Sequence, residues 1–259
     1  MKSLDTFPSS SLEGIEYILT DVDDTITTKG KLLPVALEAL WKFYDAGYKV
    51  ICVTGGSAGW ADVYLRQWPI FAVVTESGAV SLYREGKNYR KYIHPSIVRE
   101  GYRQRMEHVM DTVCTQVPGA KLSSDQFARL FDIAFDYGSE PPYLDEKGVS
   151  AVVNVCRSLG CNTAVSSIHV NAWFGDYDKY TGTASFFSQI LGIGEKEMKA
   201  RSLYVGDAPN DEVMFRNFPL SFAVGNFKDK ASQVTYLPSY LAKAAGGEGF
   251  SEISAKICH

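Results

Sequence analysis

Three acids and a threonine close the first apolar run of the chain, where Asp21-Val22-Asp23-Asp24-Thr25 follows Ile15-Glu16-Tyr17-Ile18-Leu19-Thr20. Side chains of an extended segment repeat every second residue, so Asp21 and Asp23 leave on the same side. Two carboxylates so placed repel each other and require a cation. Hard oxygen donors with few protein contacts suit Mg²⁺. A carboxylate held beside such an ion is also a nucleophile able to form an acyl phosphate. Taken alone, an Asp-x-Asp run is more often a solvated turn, because acids favour turns. Three further groups decide the matter. Thr54 and Gly55 follow a second apolar run, Lys179 opens a helical stretch, and Gly206-Asp207-Ala208-Pro209-Asn210-Asp211 follows another apolar run. Each has a plain alternative: a strand-to-helix turn, a solvated lysine, acids at the start of a helix. All the plain readings together require several coincidences in one region.

The elements that position these groups can be read from periodicity. Residues 15–20 form a β-rich run. Pro34 opens a helix carrying Leu37, Leu40, Trp41 and Tyr44 at helical spacing, and Gly47 ends it. Residues 48–53 read as a strand, 57–67 as a helix and 71–74 as a third strand. Strand and helix alternating over short connections is the pattern of a parallel sheet. The pattern changes near Arg84. Residues 85–91 are polar and read as a linker, 95–117 as a long helix, and 127–137 as a half-exposed strand. A helix over 145–159 and a strand or hairpin over 162–174 follow. The α/β pattern resumes with a helix over 181–191, strands over 202–205 and 221–224, and a helix between them that ends near Phe218. Gly246 to Gly249 reads as a flexible turn before a short terminal helix. The fold class is therefore α/β: a Rossmann-like parallel-sheet core (1–83 and 178–259) with an inserted α+β cap domain (84–177). In such a sheet ligands sit beyond the carboxyl ends of the strands, which is where the candidate residues fall.

Composition narrows the function. Apolar residues make up 46 % of the 259 residues, enough for a proper core, and the net charge is −4. A chain without basic blocks is not expected to bind nucleic acid. No apolar run reaches the roughly 20 residues that span a bilayer, and the N-terminal segment lacks a signal-peptide core. Cys52, Cys114, Cys156, Cys161 and Cys258 are odd in number and scattered, which points to free thiols and a cytoplasmic location.

The chain resembles the haloacid dehalogenase-like (HAD) phosphatases. Asp21-Val22-Asp23-Asp24-Thr25 is similar to that family's D-x-D-x-T first motif, Thr54 to its second, Lys179 to its third, and Gly206-Asp207 with Asn210-Asp211 to its fourth. An insertion between the second and third motifs resembles the branch with a large α+β cap, of Cof, sucrose-phosphate phosphatase and mannosyl-3-phosphoglycerate phosphatase type. The resemblance implies that Asp21 is the nucleophile and Asp23 the general acid and base. It implies Mg²⁺ held by Asp21, the Asp23 carbonyl and Asp207, with Asp211 in support. Thr54, Gly55, Lys179 and Asn210 would hold the phosphoryl oxygens, with Thr54 and Lys179 assisting the chemistry.

The cap should choose the leaving group. His169, Asn171 and Trp173 share a face of one cap strand at period two, and polar groups beside an aromatic suit a sugar. They could equally stabilise a half-exposed sheet. Arg129 is a candidate for a second anionic group. The expected substrate is a small phosphate ester, a sugar phosphate first. A phosphomutase acting on a hexose phosphate, a cofactor or nucleotide phosphatase, and a non-catalytic sensor of a phosphorylated ligand stand as alternatives. Oligomeric state is left open.

Overall fold

The computed structural model describes residues 1–97 and 100–258. The first half of the chain lays down β1 (Lys2–Ser3), β2 (Tyr17–Thr20), the small hairpin of β3 (Thr27–Thr28) and β4 (Lys31–Leu32), then α1 (Pro34–Asp45), β5 (Lys49–Val53), α2 (Ala58–Gln67) and β6 (Ala72–Thr75). β7 (Val80–Glu85) and β8 (Asn88–Ile93) follow. Next come α3 (Tyr102–Gln116), β9 (Lys121–Leu122), β10 (Asp132–Asp136), α4 (Glu146–Ser158), β11 (Asn162–Val165) and β12 (His169–Trp173). The chain then returns through α5 (Lys179–Phe186), α6 (Glu195–Arg201), β13 (Ser202–Gly206), α7 (Glu212–Asn217), β14 (Ser221–Ala223), β15 (Tyr240–Leu241) and α8 (Gly246–Ile257).

The large sheet runs β1-β15-β14-β13-β2-β5-β6-β7-β8. It is parallel from β1 to β6 and antiparallel through β7 and β8. Strand alternation feeds two apolar layers. Ile18, Val50, Cys52, Val73, Leu203 and Val205 face α1, α2 and α8, while Tyr17, Leu19, Ile51, Val53 and Tyr204 face α5, α6 and α7. Being covered on both faces explains why these strands read as continuous apolar runs. The site follows from the strand order. β2 has β5 on one side and β13 on the other, and the chain leaves from one neighbour and returns through the other. That reversal opens a crevice at the strands' carboxyl ends.

The second sheet is antiparallel, ordered β11-β12-β10-β9. Ile133, Phe135, Val170 and Ala172 pack under α3 and α4, with Val109, Val113, Val152 and Cys156. Register pairs Asp132 with Trp173, Ala134 with Asn171 and Asp136 with His169, so these six share the opposite face.

Several local expectations change. Residues 85–91 are no linker: β7 and β8 pair from Val80–Ile93 to Glu85–Asn88 and extend the large sheet. Their charges mark an exposed edge, where charged side chains discourage pairing with other chains. β10 is buried along its whole length rather than half-exposed, because its polar face meets the core. α3 begins only at Tyr102; the expected helix start at 95–101 is not helical where described, and residues 98–99 lie outside the described residues. The helix expected over 181–191 is α5 followed by a wider π-type turn, Phe187–Leu191. Gly246 to Gly249 form the first turn of α8, not a loose turn. A Cβ on Gly247 would lie 2.7 Å from the Ile26 carbonyl oxygen and one on Gly249 2.1 Å from that of Ala244, so the glycines serve close packing. Among the described residues no helix is long and apolar enough to cross a membrane.

Candidate active site

Asp21 emerges from β2 at the crevice, its amide donating to the Val205 carbonyl of β13 at 2.9 Å. Asp207 follows β13 directly. Carboxylate oxygens of Asp21, Asp207 and Asp211, all buried, lie within 4.8 Å of one another. Lys179 reaches in from the first turn of α5, whose start is fixed by a reciprocal cap between Asp178 and Thr181. Its Nζ lies 3.0 Å from Asp21 Oδ1 and 2.6 Å from Asp211 Oδ1. Burial works against the ammonium, but Asp21 and Asp211 outweigh it and raise its pKa.

Asp211 has a positioning role. Its Oδ1 also accepts from the Tyr204 hydroxyl at 2.6 Å, and its Oδ2 accepts the amides of Asp207 at 2.9 Å and Ala208 at 3.1 Å. Together with Lys179 these donors engage both oxygens. Gly206 is required beside it, since a Cβ there would fall 2.5 Å from Asp211 Oδ2. Asp207 is steered from the other side. Its Oδ1 accepts from Thr25 Oγ1 at 3.3 Å, and its Oδ2 accepts from Asn226 Nδ2 at 2.8 Å and Lys230 Nζ at 2.7 Å. The sequence reading missed Asn226 and Lys230. Their position just past β14, the next parallel strand, was the available signal.

This donor set fits a small hard dication. Burial pushes Asp21 well above the usual carboxylate range, with Asp211, Asp207 and Asp23 adding to it against Lys179. Burial likewise pushes Asp207 up to about 6, against Lys230. Lys179 and Lys230 do not neutralise the three buried acids Asp21, Asp207 and Asp211, and buried uncompensated carboxylates attract cations. Asp23 differs from its neighbours. Among the described residues nothing donates to its carboxyl group, which lines an open cavity of about 660 Å³. Burial and Asp24 push it up to about 6, so it holds a proton to near-neutral pH.

Thr54 ends β5. Its Oγ1 accepts the Gly56 amide at 2.9 Å, which leaves the hydroxyl hydrogen free to donate elsewhere. The Gly55 carbonyl is gripped from the cap, by Arg129 Nη1 at 3.0 Å and Asn171 Nδ2 at 3.1 Å. Glu76, another residue the sequence reading left in a turn, completes this junction. Its Oε1 accepts the amides of Ala58 at 3.0 Å and Leu130 at 2.8 Å, and its Oε2 that of Phe131 at 2.7 Å. Burial and Asp132 push Glu76 up to about 8, while the amides of Leu130 and Phe131 oppose that. We read it as ionised, because three amide donors and, among the described residues, no hydrogen-bond acceptor face it.

The cap candidates separate. Arg129, its side chain fully buried, donates to both oxygens of Asp132 at 2.9 and 3.0 Å and to Asp125 at 3.1 Å. Its donors are engaged within the protein, so it is a structural cation. Asn171 is buried between Gly55 and Asp132 and has the same role. Trp173 stacks on Tyr177 and donates to its carbonyl at 3.1 Å. His169 lines the Asp23 cavity, and burial, with Arg129, lowers its pKa to about 4, so the ring is neutral. Asn210 lines a different cavity of about 760 Å³ beside Lys179, its buried Oδ1 without a partner.

Replacing Arg129 with leucine should therefore act on stability. Leaving Asp132 and Asp125 unpaired is expected to cost about 3–5 kcal/mol, measured by denaturant unfolding. A raised KM at unchanged stability would instead make Arg129 a ligand-binding group.

No family model matches the chain. A phosphoglycolate phosphatase of Methanobrevibacter smithii is 26 % identical over 94 % of this chain and 98 % of its own. A hydrolase of Plasmodium vivax, described as HAD/COF-like, superposes with a TM-score of 0.71 at 17 % identity, over 96 % of this chain and 98 % of its own. The sucrose-phosphatase of a Synechocystis species, solved with sucrose and phosphate, superposes at 0.65 and 14 % identity, over 93 % and 97 %. The residues gathered at the carboxyl ends of β2, β5 and β13 and the shape of the whole chain agree: this protein has the fold of the haloacid dehalogenase-like phosphatases.

Proposed function

We propose that the chain is a Mg²⁺-dependent phosphomonoester hydrolase that works through an aspartyl-phosphate on Asp21, with a sugar phosphate as substrate. The observation that carries this reading is the convergence of Asp21, Asp207, Asp211 and Lys179 at one sheet edge beside a carboxyl group free to exchange protons. Asp21 and Asp207, with the Asp23 carbonyl, would hold Mg²⁺, and Asp211 supports them by fixing Lys179 and the Asp207 main chain. A bound Mg²⁺ supplies positive charge that offsets the repulsion between a carboxylate and a phosphate.

The Asp21 carboxylate attacks phosphorus as the bond to the leaving oxygen breaks, and protonated Asp23 gives its proton to that oxygen. Asp23, now ionised, takes a proton from water. The water oxygen attacks the aspartyl-phosphate, releasing phosphate and regenerating Asp21. Lys179, the Thr54 hydroxyl, the Gly55 amide and Asn210 position the phosphoryl oxygens, and such transfers depend mainly on positioning and charge. In this reading residues 1–83 and 178–259 carry the chemistry, and 84–177 close over it, with the edge strand β8 contributed to the core sheet. Free buried thiols at Cys52, Cys156 and Cys161 favour a reducing, cytoplasmic setting.

Phosphate release from p-nitrophenyl phosphate and from a panel of hexose phosphates, phosphoglycolate and cofactor phosphates tests the proposal. Activity should require Mg²⁺, vanish with EDTA and return on adding the ion. Turnover of every ester in EDTA, or none in Mg²⁺, would sink it. Need for a bisphosphate activator without net phosphate release would mark a mutase.

A further inference from the structure

The Asp23 cavity has a wall that the catalytic motifs do not explain. Trp60 and Tyr64 of α2 and Trp68, which caps its C-terminus, recur at intervals of four on the core side of the crevice. All three line the cavity, together with Asp23 from β2's end and Asp125 and His169 from the cap. They form a continuous stack. Tyr64 lies over Trp68 with ring centroids 4.1 Å apart and planes 18° apart, and Trp60 continues the stack at 5.9 Å and 21°. The lower end is core: Trp68 is 9 % exposed. The upper end is open: Trp60 is 52 % exposed, on the helix face away from the buried Ala61 and Leu65. Aromatics at helical spacing usually mean burial, and that account covers Trp68 but not Trp60.

We infer that Trp60, braced from behind by Tyr64 and Trp68, is the stacking platform for the leaving group, and that it selects a ring presenting a flat C–H face with hydroxyl groups around it. The inference rests on the phosphatase reading for its location, since the leaving oxygen must meet Asp23. Three observations define the occupant. A cavity of about 660 Å³ suits a ligand of sugar size or larger, and is far too roomy for a two-carbon acid. Acceptors crowd the opposite wall. Asp125 is held ionised, its carboxyl lowered by Arg129 and Ser123 against its burial, and Glu140 stands nearby. The neutral His169 ring offers one donor and one acceptor and has no partner among the described residues. Acceptors and a neutral imidazole receive hydroxyls well. Of the cations lining the cavity, Arg129 is engaged by Asp125 and Asp132, while Lys29 and Lys31 come from the β3–β4 hairpin. An indole face pre-set by stacked neighbours holds a ring without having to be ordered first.

The test compares Trp60→Ala and Trp60→Phe with the wild type, using glucose 6-phosphate and sucrose 6-phosphate as ring probes and acetyl phosphate as a probe too short to reach α2. The ratio of kcat/KM for the better ring probe to that for acetyl phosphate should fall about tenfold or more in Trp60→Ala and be largely kept in Trp60→Phe. A ratio unchanged in Trp60→Ala overturns the platform, as does wild-type preference for phosphoglycolate or for a planar cofactor phosphate over both ring probes. Binding separates this failure from failure of the phosphatase reading. If no ester is turned over in Mg²⁺, the ring probes are titrated by calorimetry: affinity lost about tenfold in Trp60→Ala and kept in Trp60→Phe upholds the subsite, whereas equal affinity or no binding removes it.

Discussion

Asp21→Asn should remove turnover while leaving the protein folded. An amide is nearly the same shape as a carboxylate but is not a nucleophile toward phosphorus, and losing a nucleophile costs on the order of 10⁵–10⁶ in kcat in comparable covalent mechanisms. The fold should tolerate the change. Asp21 is buried among acids, Lys179, its only paired cation among the described residues, lies 3.0 Å away, and that cation keeps Asp211 at 2.6 Å. Removing one of several mutually repelling charges relieves part of the strain that raises the Asp21 pKa. Unfolding midpoints and phosphate release, measured on the same preparation, check both halves. Wild-type-like kcat would eliminate Asp21 as nucleophile, and a collapsed midpoint would show that its charge holds the site together.

Lys179→Met should instead damage both activity and stability. The ammonium joins two buried carboxylates that belong to separate elements, β2's end and the turn after β13. Breaking a buried ion pair from one side typically costs about 3–5 kcal/mol, because the remaining charge keeps its desolvation penalty. Methionine fills similar volume, so the loss reports charge rather than a cavity. If Lys179 holds the phosphoryl oxygens as proposed, removing it should lower kcat/KM by about 10²–10³, the scale of a lost transition-state donor. Added Mg²⁺ should recover part of the unfolding midpoint by binding the folded state alone, and none of the rate. Unchanged kcat/KM in the folded variant would contradict the role given to Lys179.

The parallel core and its strand-end residues were legible because buried strands print continuous apolar runs and chemistry prints rare residue types in fixed order. Asp21, Thr54, Lys179 and Asp207 were singled out by that order and by the family it resembles, and the fold brings Asp21, Lys179 and Asp207 together. What the sequence hid depends on distance in space. Lys230 and Asn226 look like solvated loop residues until β14 is set beside β13, and Glu76 looks like a turn acid until the amides of Leu130 and Phe131 approach it. Asn171 sits on a face that period-two spacing identified, but spacing does not reveal what the face touches, and Arg129 was singled out only for its charge. The polar edge of β7 and β8 reads as a linker for the same reason: charge at a sheet margin and charge in a loop are alike in one dimension. Trp60 escaped because an aromatic ladder on a helix is ordinarily interior.

The grip on the Gly55 carbonyl has a consequence for the timing of the reaction. That oxygen belongs to the same peptide unit as the Gly56 amide, and the amide in turn points at Thr54 Oγ1. Pulling electron density toward Arg129 and Asn171 makes the amide a stronger donor, which turns the threonine's own hydrogen outward. Side chains 74 and 116 residues further along the chain thus prime the pocket floor through a single planar group. Any rearrangement that pulled Arg129 and Asn171 away from that carbonyl would end the priming, whatever became of the residues at the strand ends.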